Sequence, residues 1–233
     1  MSHYLAAVLH RQDQRIEELL APYDENLQVE KYVEYTREEA IKKAREWYSN
    51  ADKLTDDECW QRMAEDAGEG MSDEEGNLYS QSNPRGYWDW WSEGGRWSGL
   101  LKLKNGGSAN SARLGDIDFS PDEAVYQRSL RFWDVVVDHK PKEEGEEFFS
   151  FYKEQYYREY YGDRESYARR QAAFSTYAVI TPDGEWHAPG RMGWWAMSSE
   201  TGEESRDWYS NYQKRFLDDS DPNLILTIVD CHI

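Results

Sequence analysis

Leu224-Ile225-Leu226-Thr227-Ile228-Val229, near the end of the chain, is a short apolar run with β-branched members that reads as a final buried strand. His3-Tyr4-Leu5-Ala6-Ala7-Val8-Leu9 alternates enough to read as an opening strand. Between these two runs lie amphipathic helices and hairpins, with no internal repeat of fixed period. Strands at both termini and helices between them predict an α+β fold, a mostly antiparallel sheet packed by helices on one side. A decorated ferredoxin-like core is the expected topology, with residues 1–233 as a single domain and the terminal strands as neighbours in one sheet.

Local signals place the intervening elements. Thr36 with Glu39, Thr55 with Glu58 and Thr201 with Glu204 are capping boxes that open helices. The second helix carries Trp60, Met63 and Ala64 as its apolar stripe, so these should be buried. The third carries Trp208, Tyr212 and Phe216 on one face. Ser120-Pro121-Asp122-Glu123 starts another helix, which the β-branched Val135-Val136-Val137 is expected to end. Residues 148–161 are too dense in aromatics to separate helix from strand, although Gly162 suits a helix C-cap and Asp163 the next N-cap. Pro182-Asp183-Gly184 marks a hairpin, and Asn105-Gly106-Gly107 is expected to join residues 100–103 to 112–117 as another.

Composition narrows the function classes. The apolar fraction is 39% but 15% of residues are aromatic, so the core is built from indole and phenyl rings rather than aliphatic chains alone. No apolar run approaches the roughly 20 residues that cross a bilayer, and the N-terminus has no basic leader, so the chain reads as a mature cytoplasmic protein that meets no membrane. Two cysteines, Cys59 and Cys231, are too few for a disulfide framework. The net charge of −19 argues against direct nucleic-acid binding and allows a solubilising shell, a basic partner or mimicry of a polyanion. Residues 84–114 go the other way: five bases (Arg85, Arg96, Lys102, Lys104, Arg113) against Asp89 and Glu93 give +3, which leaves −22 elsewhere.

Inside that basic stretch, Trp88-Asp89-Trp90-Trp91-Ser92-Glu93-Gly94-Gly95-Arg96-Trp97-Ser98-Gly99 holds four of the eleven tryptophans. Glycines let a backbone approach a ligand, indoles stack on planar rings, and a guanidinium grips phosphate or carboxylate. Trp186-His187-Ala188-Pro189-Gly190-Arg191-Met192-Gly193-Trp194-Trp195 repeats the mixture and adds a histidine. If the two segments converge, the ligand contacts are Trp88, Trp90, Trp91, Gly94, Gly95, Arg96 and Trp97 from the first and Trp186, His187, Arg191 and Trp194 from the second. The competing reading is packing: indoles in the core, Gly94-Gly95 a tight turn, and Arg96 a strut paired with a carboxylate such as Asp89.

Asp230-Cys231-His232 ends the last strand, where alternation places Asp230 and His232 on one face and Cys231 on the other. A carboxylate there can orient an imidazole, which leaves an enzyme using His187, Asp230 and His232 as a further reading, beside plain chain-end packing. Neither a Walker loop nor GxGxxG is present, and the five histidines lack metal-site spacing, so no cofactor or metal is expected and no catalytic residue is assigned.

The string YWDWWSEGGRWSGLL at 87–101, with the later FSTYAVITPDGEW, MGWWAMSSET and LTIVDCHI, resembles an uncharacterised protein family of phages and integrative elements of Firmicutes. Trp88, Asp89, Trp90, Gly94, Gly95, Arg96, Trp97 and Gly99 match its pattern. The resemblance implies a mobile-element setting, in which small proteins often counter host defences. The expected function is therefore counter-defence through binding of a small nucleotide-like anion. The alternative is an acidic inhibitor or nucleic-acid mimic that occupies a host defence protein.

Overall fold

The structure, a computed structural model, describes residues 2–193 and 197–233. Strand β1 (His3–His10) is followed by α1 (Ile16–Leu20), β2 (Tyr32–Tyr35), α2 (Arg37–Trp47), α3 (Asp56–Ala67) and β3 (Leu78–Ser80). Next come β4 (Trp90–Glu93), β5 (Leu101–Lys102), β6 (Ser108–Ala109), β7 (Ser111–Arg113), α4 (Glu123–Phe132), α5 (Glu154–Tyr161) and α6 (Arg164–Ala172). Strands β8 (Ala178–Ile180) and β9 (Trp186–His187), helix α7 (Gly202–Phe216) and β10 (Ile225–His232) complete an α+β chain. It divides into two compact units, Met1–Pro22 with Tyr87–Ile233, and Tyr23–Gly86.

The first unit is organised by its terminal strands, which pair antiparallel along their whole length with Ala7 opposite Ile228 and His3 opposite His232. The sheet runs β4-β10-β1-β8-β9, with β7 also on β10, and only β1 and β8 are parallel. Alternation then sets the faces. Ala7 and Leu9 of β1 with Leu226 and Ile228 of β10 pack on Trp208, Tyr212 and Phe216 of α7, whose N-terminus carries the expected capping box at Thr201.

In strand order the sheet departs from the ferredoxin-like expectation. That core splits its parallel pair with a third strand, whereas β1 and β8 bond directly, Ala7 opposite Val179, and the hairpin continues outward to β9. The reason is polarity: Ala178, Val179 and Ile180 are completely buried, while β9 ends in the exposed His187 and suits an edge.

Three local expectations shift. Residues 101–102 pair with 108–109, because Gly106 and Gly107 both take positive φ and tighten the turn; of the expected pairing with 112–117 only the Leu103–Ile117 bridge forms, and β7 joins β10. Asp122, not Ser120, caps α4 by accepting from the Val125 amide. The run at Val135 does not end the helix but continues it as a π-helical turn, Trp133–Val137, that buries Trp133, Val135 and Val137. The aromatic stretch resolves into a helix only from Glu154, closed at Gly162 (φ 84°).

In the second unit β2 and β3 pair antiparallel, and α2 and α3 enclose Ala40, Ala44, Cys59, Met63 and Leu78. Both expected capping boxes are present. Met63 is buried as expected; Trp60 and Ala64 are half-buried, and the Trp60 indole donates to the Gly76 carbonyl at 2.8 Å while Arg37 covers its ring.

Candidate functional site

The last residues of β10 meet the first of β1, and there the sheet face turns from apolar to ionisable. Since His3 lies opposite His232, Asp230 is its diagonal neighbour, and the Asp230 carboxylate accepts from His3 Nδ1 at 2.7 Å. His232 does not use Asp230; its Nδ1 donates to Asp89, just ahead of β4, at 2.5 Å. Each imidazole is thereby held through Nδ1 by its own carboxylate, which leaves Nε2 as the basic atom of the neutral ring. The two rings stand edge to face with centroids 4.9 Å apart.

Strand β4 adds the platform. Trp90 lies opposite His232 and stacks on it (5.1 Å, 15°) while meeting His3 edge-on at 5.2 Å. The indole is 43% exposed, whereas the His3 and His232 side chains are 9% and 8% exposed. His232 Nε2 is buried and has no hydrogen-bond partner among the described residues. An unsatisfied buried nitrogen costs about 1–3 kcal/mol.

One glycine of this segment, Gly95, is dictated by the same carboxylate, while Gly94 is held to glycine by Asn110. Gly94 and Gly95 have φ of 68° and 47°, and a Cβ on Gly95 would overlap the Asp230 side chain. The loop can therefore pass over Asp230 only as glycine, and it delivers the Arg96 amide to Asp230 Oδ2 at 3.0 Å. Asn110 fastens the far end of the loop through the Gly99 amide at 2.7 Å. The Arg96 side chain is exposed and its guanidinium has no ion pair among the described residues. Asp89, the carboxylate that the packing reading gave to Arg96, serves His232 instead.

The other sequence candidates are distributed as follows. Trp88 is buried and donates to the Leu20 carbonyl, Trp91 is half-buried opposite Cys231, and Trp97 packs on the apolar core. Trp186 stacks on Tyr87 (4.9 Å, 8°), and Arg191 covers the Tyr87 ring at 5.6 Å. His187 turns to the α7 face, beside Phe216 and within 3.2 Å of the Thr181 hydroxyl. It borders an open cleft of about 340 Å³ with Glu204 and Asp207, where Arg215 is already bridged to Asp207. Trp194 and Trp195 lie outside the described residues. Strands β4 and β9 are the opposite ends of the sheet order, about 19 Å apart at the usual strand spacing, so His187 is not a member of the His3–His232 cluster.

Sequence reasoning did not place His3 beside Asp230, and it read Asp230 and His232 without their partners. The available signal was register: pairing the two terminal strands end to end brings both histidines together. Cys231, on the opposite face, is buried against Tyr4 and burial pushes its thiol pKa up, which makes it no nucleophile. Among the described residues no group of three or more His, Cys, Asp or Glu is placed to hold a metal ion, and no helix is long and apolar enough to cross a membrane. Comparison with protein-family models, with curated proteins and with solved structures finds no match to this chain.

Proposed function

We propose that the chain binds a small nucleotide-like anion at the Trp90 platform, with its base on the indole and its phosphate directed to Arg96. One observation carries this reading: a half-exposed indole stacked on a carboxylate-held histidine whose Nε2 is buried without a partner. The glycine loop supports it, since Arg96 extends from a backbone tied to the same cluster. A chain of net charge −19 that exposes a locally basic segment repels polyanions yet admits a small anion there. A counter-defence role in a host cytoplasm, sequestering a nucleotide signal, is the biological setting that the family resemblance supplies.

The test has two parts. Protein denatured after purification should release an ultraviolet-absorbing small molecule detectable by mass spectrometry, and titration with adenosine monophosphate should quench tryptophan fluorescence. Arg96→Ala should abolish the quenching. Quenching unchanged in that variant overturns the reading.

A second reading, an acidic inhibitor of a host protein, is favoured by a separate segment. Phe149, Phe151 and Tyr152 are 74%, 86% and 56% exposed directly after the acidic residues 143–147. Exposed rings beside carboxylates suit an apolar slot with a basic rim.

A further inference from the structure

We infer that the cavity between the end of α5 and the helices α6 and α7 binds a single phosphate group, at a site separate from the Trp90 platform. Its lining is Tyr161, Ser166, Arg170, Arg206, Tyr209 and Ser210. Two arginines and no carboxylate thus face one cavity, in a chain with 46 acidic and 27 basic residues. Helical spacing produces the arrangement. Ser166 and Arg170 are four apart on α6, and Arg206 and Ser210 are four apart on α7, so each helix turns one arginine and one serine to the same side. Both arginines are half-buried and held by neutral groups. The Arg170 guanidinium lies over the Tyr209 ring at 3.5 Å and the Tyr161 ring at 4.7 Å, and it donates to the Ser205 hydroxyl at 3.0 Å. Arg206 donates to the Glu159 carbonyl, with its stem beside Gly162. Neither makes an ion pair among the described residues. Two like charges are therefore partly withdrawn from water with no counter-charge between them, a cost that a bound anion offsets.

Size sets the ligand class. A cavity of about 80 Å³ holds a few waters and is far below the roughly 300–1,000 Å³ that whole small-molecule ligands occupy, so it admits one compact oxyanion and neither a base nor a sugar. Phosphate suits it in shape and charge. Its tetrahedral oxygens accept from two guanidinium forks that arrive from different helices, and a monoester carries roughly −1.5 to −2 charge at pH 7. The tyrosine rings cover the face of the Arg170 guanidinium and leave its in-plane N–H groups to an acceptor. The Ser210 and Tyr161 hydroxyls make no hydrogen bond among the described residues and supply further donors. Burial raises the Tyr161 pKa, which keeps that phenol protonated.

The experiment titrates the full chain in a calorimeter with inorganic phosphate, then with O-phosphoserine and with acetate. Phosphate should bind saturably, and acetate about tenfold or more weakly, since a planar monoanion engages one fork only. Arg170→Lys and Arg206→Lys keep the charge but lose the fork, and each should weaken phosphate binding about tenfold or more. Ser210 is exposed, so Ser210→Ala leaves the fold intact and should weaken binding about threefold, which keeps the test standing where an arginine variant fails to fold. Arg96→Ala should bind phosphate as the native protein does. Phosphoserine bound like phosphate supports the site and identifies its ligand as a monoester; phosphoserine excluded while phosphate binds supports it and identifies free phosphate. Native protein that takes up no phosphate overturns the inference. So does an affinity unchanged in the Arg170, Arg206 and Ser210 variants, or one lost in Arg96→Ala.

Discussion

The loop beside β4 and the segment 186–195 that opens with β9 have nearly the same composition, tryptophans with glycines and an arginine, yet they do different work. At the first, a glycine is required by a neighbour: Gly95 passes directly over Asp230, and the guanidinium of the following arginine is exposed with no ion pair among the described residues. At the second, the rings satisfy one another, Trp186 on Tyr87 and Arg191 on the same phenol. The difference comes from the neighbouring strand. Strand β4 lies on β10, which ends in ionisable residues, while β9 lies on the wholly apolar β8. Composition therefore identifies candidate segments, and the partner strand assigns their roles.

The most damaging way to probe this contrast is Asp230→Ala. The carboxylate is buried and accepts from both His3 and the Arg96 amide, so its loss leaves two donors unsatisfied and should cost about 3–5 kcal/mol of unfolding free energy. His187→Ala at the other edge removes an exposed ring and should cost under about 1 kcal/mol. Urea denaturation of the two variants measures the gap; equal costs would deny that the β4 end is the built site.

Gly95→Ala comes next. Its φ of 47° and the overlap with Asp230 together should cost about 2–4 kcal/mol, and the displaced loop should lose ligand affinity as well. A melting temperature unchanged by this substitution would show that the loop need not cross the carboxylate.

How much of this is readable in the sequence depends on the range of the interaction concerned. The capping boxes at Thr36, Thr55 and Thr201 span three residues and form as read. The terminal strands were readable too, because period and composition mark each one alone. The pairing of His3 with Asp230 was not, since it spans nearly the whole chain. Asp230 and His232 look like partners in the sequence, but residues two apart along a strand sit roughly 7 Å apart, whereas cross-strand neighbours come closer. The π-helical turn at Val135 was lost for another reason: burial of Trp133 and Val137 overrides β-branched propensity, and the Arg164 guanidinium donates to both oxygens of Asp134, which holds that carboxyl's pKa down at about 2.

Arg96→Ala and Arg191→Ala test the same comparison with smaller stability effects. Arg96 has no ion pair among the described residues, so its removal should leave stability within about 1 kcal/mol and abolish nucleotide-dependent quenching. Arg191→Ala removes, among other contacts, a ring contact worth about 0.5–1 kcal/mol and should leave quenching intact. The reverse outcome, ligand binding lost at Arg191 and kept at Arg96, would move the site to the β9 edge.

The smallest effect expected is a pH dependence confined to the β8–β9 turn. Asp183 accepts from the Thr181 hydroxyl at 2.6 Å, and this bond, ahead of any other cause, lowers its pKa. A carboxylate whose folded pKa is depressed adds stability that is present above its unfolded pKa and lost as pH falls through the folded one. Acid should therefore loosen the turn, in which the Gly184 amide bonds the Thr181 carbonyl and the Thr181 amide bonds that of Glu185. Amide exchange at these two positions, corrected for the intrinsic rate, should quicken below the ordinary carboxylate range. Asp183→Asn keeps the acceptor oxygen and removes the titration, so its corrected exchange should not change with acid. If the variant shows the same acid response, the turn opens for some other cause. The β9 edge would then have to be credited with a titrating group beyond Asp183, which the ring-on-ring packing of Trp186 and Tyr87 does not require.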